Sequence, residues 1–491
     1  VSSHLPIVPI VLPMIAAPLC SLLRRPALIW PLTTGVGWLV FAACAALLMQ
    51  VVESGPIVYT MANWDAPIGI EYRIDLLNAY ILVLVSGIAA VVLLYAPQSA
   101  ASELPQDRHH LFCAAFLLCL TGLLGITITG DAFNVYVFLE ISSLASYALI
   151  SVSRDPRALK AAYKYLIMGT IGATFILIAV GLMYMMTGTL NMADLAQRVK
   201  MVEDTRTILM AFAFLSIGIM LKIALFPMHA WLPNAYSYAP SLVTAFIAAT
   251  STKVSLYVFL RFVFTIFGAE YAFDTLRFND VLLPLALLGI VVASAVAIYQ
   301  TDLKRLLAYS SVAQIGYIVL GISMGTVTGL TAGLAHMFNH ALMKGALFLA
   351  VGCIVLRLHS SRLEDMAGLG KRMPITSFAF VLGGLGLIGV PLTAGFISKW
   401  YLLLGTLELG WWPVTVLLLI SSLLAVAYVW RFVEVAYFQP PPAGASSDEA
   451  PLSMQIPLWM LLATTLYFGL QTDVTAGLAQ RAALWLLGGG Q

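Results

Sequence analysis

Apolar residues run along this chain in long stretches, from near the N-terminus to the C-terminus, separated by short polar gaps. A helix needs about 20 apolar residues to cross the hydrocarbon of a bilayer. That ruler predicts about fourteen spans, approximately 5–23, 27–51, 74–96, 110–129, 131–152, 161–187, 207–236, 240–267, 281–299, 303–323, 328–356, 374–406, 411–437 and 454–471. The expected fold class is all-α, a polytopic membrane protein of about 14 transmembrane helices. The first run, Leu5 to Leu23, reads as a span and not as a cleavable leader, having neither a basic start nor a small-residue cleavage site. The last stretch, Ala476 to Leu487, is too short to span comfortably; it lies along the interface or prolongs the final helix.

Composition agrees. The 491 residues are 61% hydrophobic and 10% charged, against about 25% charged in an average soluble domain. A soluble protein this apolar could not cover its surface, so the solvent is lipid. The net charge of +2 argues neither for nor against nucleic acid; with no basic tail, none is expected as a partner. Cys20, Cys44, Cys113, Cys119 and Cys353 lie singly inside apolar stretches without C-x2-C spacing, which reads as inert thiols. No metal, cofactor or redox centre is expected in the chain itself.

The basic residues orient it. Gaps after odd-numbered spans hold thirteen Lys or Arg, among them Arg24, Arg25, Arg154 and Arg357; gaps after even-numbered spans hold five, Arg73, Arg198, Lys200, Arg206 and Arg277. The odd gaps are therefore expected in the cytoplasm and both termini outside, in a bacterial cell (inner) membrane.

Some charges fall inside the spans. An ionisable group at the bilayer centre costs at least roughly 2.5–3.5 kcal/mol on insertion scales. Glu140, Lys222, Lys253, Lys344 and Lys399 all sit well within apolar segments. Snorkelling can serve Arg261 and Arg431, nearer their span ends, as well as function can; it serves the four lysines poorly. In His336-Met-Phe-Asn-His340-Ala-Leu-Met-Lys344, positions i, i+4 and i+8 share one helix face over about 12 Å. Histidine titrates near neutrality, so such a face can pass protons.

Two spans are interrupted. One reads Lys222-Ile-Ala-Leu-Phe-Pro227-Met-His229-Ala-Trp231-Leu-Pro233, the other Gly389-Val-Pro391-Leu-Thr-Ala-Gly395-Phe-Ile-Ser-Lys399. Proline removes a backbone donor and frees a carbonyl. Such backbone survives at membrane depth only against protein or a hydrated cavity, and paired interrupted helices mark inverted-repeat transporters. The predicted organisation is N-terminal helices over 1–109, a first five-helix repeat over 110–267, a second, inverted, over 281–437, and a C-terminal helix over 454–491.

Asp302-Leu-Lys-Arg-Leu-Leu-Ala-Tyr-Ser-Ser311 with Gln314-Ile-Gly316, the Lys222…Pro227…Trp231-Leu-Pro233 segment, Lys253, the His336/His340/Lys344 face and Gly395-Phe-Ile-Ser-Lys399 together resemble the antiporter-like subunits. These occur in respiratory complex I, membrane-bound hydrogenases and Mrp-type multisubunit sodium/proton antiporters. The resemblance covers about residues 70–435. It implies fourteen core helices, proton translocation without a cofactor, and several other membrane subunits as partners, with protons and sodium or another monovalent cation as the ions carried. It implies that Glu140 pairs with Lys222, that Lys253 connects, that His336, His340 and Lys344 form the central relay, and that Lys399 ends it. Gln314 stands where some members have histidine, which leaves it a hydrogen-bonding role. One complex I member has glutamate where Lys399 stands, which argues against that member. Thr187-Gly-Thr-Leu-Asn-Met-Ala-Asp194-Leu and the short C-terminus look most like the Mrp branch, and within it the D-type subunits. The alternative is a proton-pumping subunit of a complex I or hydrogenase type complex.

Two readings from other classes stay open at this level. A haem- or quinone-binding subunit draws on the two histidines, although haem ligation takes one from each side of the ring. A single-subunit metabolite transporter needs a selective pocket that the sequence does not display. Asp302 reads as a helix start, His229 as access lining or packing, His109 and His110 as a solvated loop, and Pro440–Pro442 with Ser446, Ser447 and Asp448 as a flexible linker. Trp411 and Trp412 suit an interfacial belt.

Overall fold

The computed structural model describes residues 2–203, 205–442, 444 and 448–488; Ser446 and Ser447 of the expected linker lie outside them. Helices make up 82% and strands 3%, so the all-α expectation holds apart from one small hairpin. The long helices are α1 (Val8–Leu22), α2 (Pro26–Ser54), α3 (Leu76–Glu103), α4 (His109–Ile128), α5 (Ala132–Ser151), α6 (Arg157–Thr187) and α7 (Thr205–Ile223). They continue as α8 (Ser241–Leu260), α9 (Asn279–Ile298), α10 (Leu303–Ser323), α11 (Val327–Leu358), α12 in two halves (Pro374–Ile388 and Ala394–Glu408), α13 (Trp412–Val433) and α14 (Leu452–Leu470). Among the described residues, thirteen helices are long and apolar enough to cross a membrane. The fourteenth expected span is α12, whose halves of 15 residues each fall short singly. Helices suit this solvent because each satisfies its own backbone in hydrocarbon.

The helix starts are marked by side chains that take up the orphaned N–H groups of the first turn. Asp75 accepts from the Asn78 amide while Asn78 answers with its own side chain. Asp131, Asp302 and Thr326 cap α5, α10 and α11 by accepting a backbone N–H of the first turn. Asp302 thus has the structural role expected of it.

α11 is the central post. It touches α3, α8, α10, both halves of α12 and α14, and 26 of its residues, Gly329 to Ile354, are buried without a break. α1, α2, α6, α9, α13 and α14 form the rim, with large apolar side chains such as Leu39, Leu159, Leu288 and Leu423 turned outward. Where the halves of α12 meet, a Cβ on Gly395 would overlap the Gly386 carbonyl; glycine lets the two backbones touch. Within residues 110–267 and again within 281–437, the fourth helix is the broken one, α7 and α12.

Several features differ from the sequence expectation. The gap after α2 forms an antiparallel hairpin, β1 (Ile57–Thr60) with β2 (Glu71–Ile74), in the register Ile57 to Ile74. His109 is not in a solvated loop: α4 begins at it, and the ring is buried edge-on against Trp30 at 5.8 Å. Arg261 does not snorkel; its side chain is 7% exposed and its guanidinium pairs with Asp75 at 2.8 Å. Arg431 is half-buried and donates to the Ile298 carbonyl. The closing stretch does not prolong α14. It turns back as a separate helix, Leu478–Leu487, against α11 and α3.

Candidate functional site

Lys222 lies in the last turn of α7, just before the first break, with its side chain 4% exposed. Its Nζ donates to the Ser143 hydroxyl at 2.9 Å and stands 3.9 Å from Glu140 Oε1. Glu140 and Ser143 are three apart on α5, so one helix face presents both to the amine. The Glu140 side chain is 25% exposed, while the Oε1 that faces the amine is buried, so the side chain reaches the rim and the contact lies inside.

The break after Lys222 is satisfied locally. Past Ile223 the chain turns at Ala224, in the left-handed region at φ 56°. It then resumes as a short helix, Leu232–Tyr238. The Leu221 carbonyl, which loses its i+4 helical donor at the break, accepts from the Ala224 N–H at 3.3 Å and from the Trp231 indole N–H at 2.9 Å, and Tyr165 stacks flat on that indole at 4.0 Å. His229 stacks on Phe226 at 5.2 Å, so it packs within the break.

Lys253 is fully buried on α8, donating to the Ala248 carbonyl at 2.5 Å and the Thr252 hydroxyl at 3.3 Å. Among the described residues no carboxylate stands within ion-pair distance of it.

The α11 face is as the spacing predicts. His336, His340 and Lys344 are all fully buried, and the two imidazoles lie parallel with centroids 6.1 Å apart. His336 is held at both nitrogens, Nε2 against Gln314 Oε1 at 2.7 Å and Nδ1 against Ser398 Oγ at 2.8 Å. Gln314 therefore has the hydrogen-bonding role. With its carbonyl oxygen facing the ring, an acceptor only, Nε2 is the donor. Nδ1 then accepts from Ser398 when His336 is neutral. When the ring is protonated at both nitrogens, Ser398 turns its proton to the Gly395 carbonyl, 3.2 Å away, and accepts instead. This one hydroxyl can follow either charge state. His340 has no hydrogen-bond partner at either nitrogen among the described protein groups. Lys344 donates to the Leu307 carbonyl at 2.8 Å and to the Ser310 hydroxyl.

Lys399 sits in the second half of α12 and reaches back across the break. Its Nζ donates to the Ile388 carbonyl at 2.9 Å and to Ser422 at 3.3 Å, and lies 4.8 Å above the Tyr317 ring. Lys399, Tyr317 and Ser422 border a cavity of about 20 Å³, room for a water molecule. Asn339 donates to the Ala394 carbonyl at 2.7 Å and so covers the far lip of the break.

Six of the seven predicted residues are thus buried and Glu140 is partly exposed, and Glu140 with Lys222 and His336 with the α12 break are brought into contact. Lys253, His340 and Lys344 are near the row without a direct bond along it. Direct proton transfer cannot cover those gaps; bridging water can. Among the described residues no three His, Cys, Asp or Glu converge as a metal site would require.

Sequence reasoning missed two buried ion pairs, one at each end of α3: Asp75 with Arg261, and Glu103 with Lys304 at 3.7 Å. For the first, two signals were present. Asp75-x-x-Asn78 before an apolar run is a helix-start pattern, and Lys253, Tyr257 and Arg261 repeat the i, i+4, i+8 spacing of the histidine face.

A family profile described as NADH:quinone oxidoreductase/Mrp antiporter, transmembrane, matches residues 129–425. The chain is 42% identical to the N-type subunit of the NADH-quinone oxidoreductase of Desulforudis audaxviator, over 99% of this chain and 100% of that one. It is 27% identical to the D-type subunit of the Na(+)/H(+) antiporter of Bacillus subtilis, over 98% and 97%. Its backbone superposes on a chain of the Mrp complex of Dietzia sp. with a TM-score of 0.89 at 26% identity, covering 99% and 97%. On a chain of the archaeal membrane-bound sulfane sulfur reductase the TM-score is 0.90 at 32% identity, covering 99% and 98%.

Proposed function

This chain belongs to the NADH:quinone oxidoreductase/Mrp antiporter transmembrane family, and from that membership we propose that it is the proton-translocating subunit of a multisubunit cation/proton antiporter. Protons move along the mid-membrane row from Glu140 and Lys222, by way of Lys253, His336, His340 and Lys344, to Lys399. The observation that carries the reading is the Lys222–Glu140 pair, a buried amine beside a glutamate whose side chain is partly exposed. A pair so placed can be opened or closed from outside the chain.

The physical logic is a balance of charge. Burial disfavours an ammonium ion and a near carboxylate favours it. Drawing Glu140 away releases a proton from Lys222, and returning it captures one. Moving one charge through 100 mV takes about 2.3 kcal/mol, which a change of under two pKa units, about 1.4 kcal/mol each, supplies. Residues 110–267 and 281–437 act as two inverted five-helix units, each giving one half of the path, with both termini outside. A neighbouring subunit covers Glu140 and sets its position; the hetero-oligomeric complexes of the solved relatives support this.

A second reading has its own support. The 42% identity over the full length to a quinone oxidoreductase subunit favours a proton-pumping subunit of a respiratory complex, in which the same row would serve. Purifying the complex decides between them: small multi-span subunits alone mean an antiporter, whereas iron–sulfur or nickel subunits alongside mean a redox pump.

Proton flux in membrane vesicles tests the row itself. Glu140→Ala and Lys222→Ala each bring flux to background in a normally assembled complex. Full flux in both variants removes the pair from the mechanism.

A further inference from the structure

The face that gathers the loops after the even-numbered helices, the predicted outer face, opens into a cavity of about 1000 Å³. Its mouth carries Lys200 and Glu270, both exposed, and its floor is Asp75, Asn78, Tyr257 and Arg261, all buried. The floor is tightly tied. Arg261 meets Asp75 through both terminal nitrogens, at 2.8 and 3.0 Å, and donates to Asn78 Oδ1 at 2.8 Å. Trp485, from the short C-terminal helix, lies over the guanidinium at 5.3 Å.

Beneath this pair stands Tyr257. Its oxygen accepts from Asn78 at 2.7 Å and from Arg261 Nε at 3.2 Å, which leaves its own O–H to donate. Helical side chains lean toward the helix N-terminus, so Tyr257 leans toward Lys253, one turn below it on α8. From Lys253 to Arg261 is eight residues, about 12 Å along the axis.

An ion pair that merely fastened α3 to α8 would be expected under sealed apolar packing. This one forms the floor of a wide cavity whose lining also carries Glu71, Arg73, Lys200 and Glu270, with a hydroxyl below it on the side of a buried amine. We propose that the cavity is the outer access vestibule of the proton row, that water in it exchanges protons with Lys253, and that the Arg261–Asp75 pair is its gate. The inference rests on the proposed function and adds to it a site and a selectivity. Arg261 stays charged and turns back metal cations, as an arginine at a pore constriction does. Asp75 offsets that charge for a proton, which can bind its carboxylate as a metal ion held away by the guanidinium cannot. Tyr257 is a positioning residue that orients water between the gate and Lys253.

The test uses the intact complex in right-side-out vesicles. Ala193, on the cavity wall, and Gln197, wall-lining and exposed, are each changed to Cys and treated with a cationic, membrane-impermeant thiol reagent. Wild-type complex, in which the five cysteines of this chain are all buried, sets the background, other subunits included. Labelling, read as a mass shift, is expected from the outside, and to lower proton flux at least about fivefold against the same unlabelled variant, roughly the effect of 1 kcal/mol. The double variant Asp75→Asn/Arg261→Gln removes both charges while keeping hydrogen-bonding groups, and is expected to admit sodium, read as a sodium leak without a pH gradient. No labelling from outside, labelling without a change in flux, or a sodium-tight double variant with normal flux each overturns the proposal. Lys222→Ala in the same vesicles separates the two claims. Full flux there sinks the row, whereas its loss beside unaffected flux in the labelled variants sinks the vestibule alone.

Discussion

The two broken helices present a lysine each, and the two lysines are held by different means. At the first break Lys222 has a carboxylate and a hydroxyl, while the freed Leu221 carbonyl is served by an indole from another part of the loop. At the second break the freed Ile388 carbonyl is served by Lys399 itself, with Ser422 and the Tyr317 face completing its surroundings. Among the described residues no carboxylate pairs with Lys399. One site separates backbone repair from charge handling, and the other merges them. The first amine has a partner of opposite charge that can be moved. The second has only neutral dipoles, so its charge answers to what arrives along the row. A control end and a receiving end follow from that difference.

The largest effect that could break the comparison is at Lys399. Lys399→Ala is expected to bring proton flux to background, as Lys222→Ala does. It should also lower the stability of the subunit by about 1–3 kcal/mol, the cost of an orphaned buried carbonyl, where Lys222→Ala does not. Equal thermal stability of the two assembled variants would contradict the merged role.

Making the second site resemble the first gives the next effect. Ser422→Asp places a carboxylate beside Lys399. An ammonium so paired is held by at least about 1.4 kcal/mol, and steady proton flux should fall about tenfold. Unchanged flux would mean that Lys399 is not a stage in transfer.

A smaller loss is expected from Ser398→Ala, which removes the hydroxyl that follows the charge of His336. One hydrogen bond is worth about 0.5–1.5 kcal/mol, so flux should drop roughly two- to tenfold with assembly unaltered. Ser398→Thr, which keeps the hydroxyl, should recover most of it. Failure of that recovery would assign Ser398 to packing.

The smallest effect on transport should come at the first break. Trp231→Phe leaves the Leu221 carbonyl with the Ala224 N–H alone, a stability loss of about 0.5–1.5 kcal/mol for one hydrogen bond, and flux per assembled complex changes less than about twofold. A flux loss as large as that of Lys222→Ala would show that the indole does more than repair backbone.

How much of this was legible in the sequence depends on the kind of signal. The spans were readable because hydrocarbon thickness fixes their length: the expected 303–323 is α10 to the residue, and 328–356 lies within α11. Glu140 and the four lysines stood out because charge is costly at depth. Both breaks were announced by proline and glycine. What serves the breaks was not legible. That Trp231 reaches Leu221, or that Lys399 reaches Ile388, depends on how a turn folds back, and residue spacing does not encode that. Arg261 was ambiguous for a related reason. Its distance from the span end permits snorkelling, and its actual partner, Asp75, lies 186 positions away. His109 was misplaced because its neighbours are polar, while its environment is set by Trp30 on another helix.

In the proposed mechanism the control end and the receiving end exchange protons through the buried face of α11. His340 stands in that face, buried and without a hydrogen-bond partner among the described protein groups. The decisive quantity is therefore proton flux in vesicles bearing His340→Leu, a substitution of similar bulk that carries no proton, with assembly checked by purification of the complex. Flux is expected to fall to background while the complex assembles fully; flux at the wild-type rate would show that protons do not pass along this face.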